Sequence, residues 1–190
     1  MKSKNCKTNK TVYLALLRGI NVGGKNIIKM ADLRSAFEGL GYDNVQSFIQ
    51  SGNVVFRTEE INKTEITVKI EKLLSERFRY DSRVVVISFN ELKNVVENAP
   101  EKFGKEPSDF RYDVLFIKEP LTPTEVIEVV KVRENVDSVY EGEKVVYFRK
   151  LISKASQSYL TKIITSKVYP HITIRNWNTT YNLYTLMTNY

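Results

Sequence analysis

The chain has 190 residues, 42% of them hydrophobic and 27% charged, which excludes wholesale disorder and leaves room for one large core or two small ones. Its single cysteine, Cys6, excludes a disulfide framework, and the lack of any run of about 18 apolar residues excludes a membrane-spanning helix. The net charge of +7 is uneven: residues 1–34 carry eight basic side chains and one acid, residues 35–143 carry 14 and 21, and residues 144–190 carry seven and none.

In chain order, Met1 to Lys10 (MKSKNCKTNK) is a basic leader without an apolar stretch behind it. It is read as disordered and not as a secretory signal, so a cytoplasmic location without a membrane partner is expected. Thr11 to Leu17 (TVYLALL) has the β-branched and aliphatic character of a buried strand. After a long loop, Met30, Leu33, Phe37 and Leu40 share one helical face, and Gly41 stands at the stop position. Val45 to Gln50 and Asn53 to Arg57 read as two strands around a Ser51-Gly52 turn. Ile66, Ile70, Leu73, Leu74 and Phe78 mark a second helix, and Arg83 to Ser88 a closing strand. This first βαββαβ unit spans residues 11–89.

Residues 90–110 form a linker: a helix with Asn90 as its N-cap, ended by Pro100, then a stretch carrying Gly104 and Pro107. The same order then recurs over residues 111–177. Tyr112 to Lys118 is a strand, and Thr122, Pro123 and Glu125 form a capping box that opens a helix bearing Val126, Ile127 and Val130. A hairpin turns at Glu141-Gly142-Glu143, a helix carries Leu160, Ile163 and Ile164, and His171 to Arg175 closes the unit. A last helix over residues 178–190, capped by Asn178, places Leu183, Leu186 and Met187 on one face. The expected fold is α+β: two tandem ferredoxin-like βαββαβ subdomains plus a C-terminal helix.

Gly19 to Lys25 (GINVGGK) has the spacing of a phosphate-binding P-loop. Asn26 stands where that motif needs a hydroxyl for magnesium, the helix begins too late to face phosphates, and a βαββαβ order gives an antiparallel sheet. A nucleotide hydrolase is therefore not expected. The loop from Arg18 to Lys29 still offers Arg18, Asn21, Gly23, Gly24, Lys25 and Asn26 with no carboxylate, a composition suited to a small anion. Its glycines serve equally well simply to turn the chain. Ser51 and Asn53 of the hairpin, and Arg175, Asn176 and Trp177 near the last strand, complete the candidate ligand-binding set if the positive segments converge. Trp177 reads either as a core plug or as a stacking platform.

No cofactor or metal is expected: His171, the only histidine, reads as structural, and no Cys/His spacing suits zinc. Asp109 and Asp113 follow a loop-to-strand pattern and not that of a catalytic pair. Binding of RNA or another nucleic acid on a sheet face is the second expectation, supported by Tyr147-Phe148-Arg149 and opposed by Asn53 to Phe56, which lacks the usual aromatic motif. A non-enzymatic scaffold is the third.

LLRGINVGGKN (Leu16 to Asn26), continuing through IQSGNVVF (Ile49 to Phe56), with RNWNT (Arg175 to Thr179), resembles the bacterial family called domain of unknown function 1697. The likeness covers nearly the whole chain beyond the leader and departs at Lys29, where a proline is usual, and at Asn182, where a lysine is usual. It implies a two-subdomain, ferredoxin-like fold and no particular activity, so no catalytic residue is carried over.

Overall fold

The structure is a computed structural model that describes residues 10–190; Cys6 and all of the expected leader except Lys10 lie outside the described residues. The first unit runs β1 (Thr11–Leu17), α1 (Met30–Gly39), β2 (Asp43–Phe48), β3 (Asn53–Thr58), α2 (Lys63–Phe78) and β4 (Val84–Ser88). The helix α3 (Phe89–Glu97) leads to β5 (Phe110–Ile117), α4 (Pro123–Val129), β6 (Asp137–Glu141) and β7 (Val145–Leu151). Three 3-10 turns over residues 152–171 follow, then β8 (Ile172–Asn176) and α5 (Trp177–Thr188). The first sheet has the order β2-β3-β1-β4 and the second β6-β7-β5-β8, with every neighbouring pair antiparallel. Two ferredoxin-like units are thus joined in tandem.

Alternation along the central strands builds three cores, because successive strand residues face opposite sides. Tyr13, Ala15 and Leu17 of β1 pack under α1 and α2 with Phe37, Ile66 and Ile70. Leu14 and Leu16 face the other way, against Tyr112, Val114, Phe116 and Tyr147 of the second sheet, with α3 and α5 completing that shared core. Leu115, Ile117, Val146 and Phe148 point outward to α4 and the 3-10 turns. Tyr147 and Phe148, the aromatic pair of the expected RNA platform, are buried.

Local signals explain most boundaries. Gly41 takes φ +81 and its N–H donates to Glu38 O at 2.9 Å, which stops α1 as expected. The capping box of Thr122 and Glu125 forms with Pro123 in the first turn. Three expectations are corrected. The N-cap of α3 is Ser88, in a capping box with Glu91, and not Asn90. The N-cap of α5 is Asn176, whose side chain accepts from the Thr179 N–H, and not Asn178. The helix expected around Leu160 is a 3-10 turn. Ser166 and Thr165 hydroxyls donate to the Ile163 and Lys162 carbonyls there, competing with α-helical bonding. With three residues per turn, Leu160 and Ile163 stay buried while Ile164 rotates out to 55% exposure.

Two N–H groups on the free edge of β4 are taken by carboxylates. The Val84 N–H donates to Glu71 and the Ser88 N–H to Glu91, each at 2.8 Å. Glu71 pairs with Lys118, and Glu91 with Lys63 and Lys144, so the same two acids tie the first unit to the second.

Candidate functional site

The glycine loop folds as a small hairpin and not as a phosphate cradle. Gly23 and Gly24 have φ +59 and +74, the signs a type I′ turn requires, and the Lys25 N–H donates to Val22 O at 3.1 Å. The Asn21 N–H donates to Asn26 O, which closes the hairpin. The side chains of both asparagines are structural: Asn26 donates to Gly19 O at 2.8 Å, and Asn21 donates to Ile28 O and Gln50 O at 3.0 Å. Lys25 sits exposed at the tip. The guanidinium of Arg18 lies 4.2 Å above the Tyr169 ring, docking the loop on the second unit.

Arg175 does reach the base of this loop, as a buried knot. Its Nε donates to Asn53 Oδ1 at 2.6 Å, its Nη1 to Thr173 Oγ1 and Ile174 O, and its Nη2 to Leu17 O at 2.8 Å and Ser51 O at 3.0 Å. Asn53 in turn donates to Phe48 O and Ser51 Oγ. Arg175 is 8% exposed and has no carboxylate partner; burial pushes its pKa down to about 10, so it stays charged at neutral pH. All five of its N–H donors are engaged within the protein. Leu17, Ser51, Gly52, Asn53 and Arg175 therefore converge, with Lys25 held away from them at the hairpin tip.

Asn176 and Trp177 turn to a different place. β8 ends at Asn176, opposite Asp113, whereas β7 follows β5 back to Phe110. The Phe110–Tyr112 stretch of β5 consequently has a strand on one side only. Beside it opens a cavity of about 390 Å³ lined by Arg111, Asp113, Lys150, Asn176, Trp177 and Asn178, with Gly104 and Pro107 from the linker. Arg111 stands directly opposite Lys150 in the β5–β7 register. Asp137 is opposite Lys150 on β6, but its Oδ2 accepts from the Arg133 and Tyr159 N–H groups. Neither Arg111 nor Lys150 makes an ion pair among the described residues. Burial pushes the Asp113 carboxyl up from its ordinary value, against the downward pull of Lys150 and Arg111.

Trp177 is locked as one wall. Its ring meets Phe103 edge to face at 5.2 Å, and Phe103 meets Tyr112 and Tyr147 in the same manner. Gly104 has φ +81, and a Cβ there would lie 2.2 Å from Trp177 Nε1, so only glycine lets the indole in. From sequence, Asp113 reads as a strand carboxylate and Gly104 as a linker glycine, and nothing singles out Arg111 or Lys150. Strand register, which one chain segment does not carry, is what brings Lys150 to Arg111 and Asp113.

A contrasting carboxylate lies at the junction of the units. Burial would raise Glu91, but hydrogen bonds from Lys63, the Ser88 N–H and Lys144 outweigh it and hold its pKa down at about 2. Among the described residues no group of three or more His, Cys, Asp or Glu could hold a metal ion. No described helix is long and apolar enough to cross a membrane.

A family model described as protein of unknown function (DUF1697) matches residues 10–147. A solved structure described as conserved bacterial protein SP0830 from Streptococcus pneumoniae aligns with a TM-score of 0.82 at 30% identity, covering 93% of this chain and 98% of that one. No curated protein matches.

Proposed function

The chain belongs to the DUF1697 family, and we propose that it binds a small anionic ligand in the cavity between β5, β7 and the start of α5. One observation carries this reading: Arg111 and Lys150 face each other across the ladder and both line the cavity. Like charges directly opposite in a sheet are destabilising, a cost that a bridging phosphate or carboxylate turns into a gain. The guanidinium supplies a flat fork for two oxygens and the ammonium a point charge. Trp177 adds an indole wall beside the cations, which favours an anion attached to a flat ring. The volume lies within the usual range for small-molecule sites.

The glycine hairpin, the sequence's first candidate, is the internal control. A thermal-shift panel of sulfate, inorganic phosphate, nucleoside monophosphates and aromatic carboxylates tests the proposal. A ligand at 100 times its Kd stabilises by about 2.7 kcal/mol. Lys150→Met is expected to abolish the response and Lys25→Ala to leave it intact. A panel without any response, or a response that survives Lys150→Met, ends the reading.

A further inference from the structure

The same cavity contains a carboxyl group whose position bears on how binding is controlled, an inference that rests on the anion-site reading above. Asp113 follows Arg111 by two residues on β5, so both side chains leave the same face of the strand. Around it stand Lys150 from β7, Asn176 at the end of β8, and Trp177 and Asn178 from α5. Asp137, beyond Lys150 on β6, is already held by two backbone N–H groups. No histidine lines the cavity, and Asp113 is the carboxyl group that does.

We propose that entry of an anion into this cavity is coupled to uptake of one proton by Asp113, so that the site holds its ligand more tightly as pH falls. An ionised Asp113 repels the incoming anion and competes with it for Arg111 and Lys150. Once protonated, the same group donates a hydrogen bond to the anion. Bond accounting is simple: the proton comes from solvent, forms an O–H bond on Asp113 and returns to solvent on release. The upward push that burial already gives this carboxyl lowers the cost of the step.

Sulfate is a suitable probe because it does not itself titrate near neutral pH. Calorimetric titration of the full chain with sulfate, in two buffers of different ionisation enthalpy from about pH 5 to 8, reads the coupling directly. The expected result is a buffer-dependent heat that reports proton uptake, with affinity falling by up to about tenfold per pH unit on the alkaline side. Asp113→Asn is expected to bind sulfate with an affinity that does not change with pH. Wild-type heats that are equal in both buffers, with an affinity flat across pH and still lost in Lys150→Met, overturn the coupling and leave the anion site standing. Absence of sulfate binding at every pH, in wild type and Asp113→Asn alike, removes the site and the coupling together. If Asp113→Asn does not fold, the two-buffer comparison on the wild type decides alone.

Discussion

Arg175 and the Arg111–Lys150 pair are neighbouring cationic centres of the second unit, and the fold treats them in opposite ways. Arg175 is buried among carbonyl oxygens of β1, the β2–β3 turn and β8, with no donor left over. Arg111 and Lys150 face one another beside an open cavity and have no ion-pair partner among the described residues. The adjacent residues Arg175 and Asn176 thus stand in different settings, one bonded to both units and the next lining the cavity.

The carboxylates repeat the contrast. Glu91 and Asp113 are both partly buried, yet Glu91 is surrounded by donors and is pushed down, whereas Asp113 has no ion pair among the described residues and is pushed up. Burial alone raises a carboxyl; partners reverse it.

The comparison can be broken most forcefully at Arg175. Arg175→Ala leaves several buried carbonyls without donors and is expected to cost at least about 3 kcal/mol in urea unfolding, with Arg175→Lys recovering only part because an ammonium lacks the fork. A loss below about 1 kcal/mol contradicts the knot. Next comes acid. Glu91 is depressed in the folded state, so its contribution, up to about 3 kcal/mol, is present above pH 4.5 and lost as pH falls toward about 2. Glu91→Gln should flatten that part of the acid-unfolding curve; an unchanged curve refutes it. Asp113, raised in the folded state, has the opposite sign: Asp113→Asn should make the protein more stable at neutral pH. Gly104→Ala must adopt a left-handed backbone and displace Trp177, for a cost of about 2 kcal/mol and a weakened sulfate response. A neutral substitution there means that Trp177 is not held as described.

Much of the fold was legible because its signals are local. Hydrophobic period placed the eight strands and most helices, and the Thr122-Pro123-Glu125 box and Gly41 marked ends correctly. The 3-10 turn at Leu160 was missed because Leu160 and Ile163 fit both a 3-residue and a 3.6-residue period, and only backbone competition by Thr165 and Ser166 decides between them. The candidate site was only partly legible. Asn176 and Trp177, expected in the ligand-binding set, line the cavity, whereas the glycine loop, which drew attention by its spacing and carboxylate-free composition, does not. Its φ values serve a hairpin. Arg111 and Asp113 share a strand face by their spacing, but Lys150 joins them only after β5 pairs with β7, a tertiary fact with no local signature.

The sulfate response of Lys150→Met is the most direct test. The variant loses one of the two cations that line the cavity, so sulfate should raise the urea-unfolding midpoint of wild type and leave that of Lys150→Met unmoved. A Lys150→Met protein that sulfate stabilises to the same extent as wild type contradicts the account.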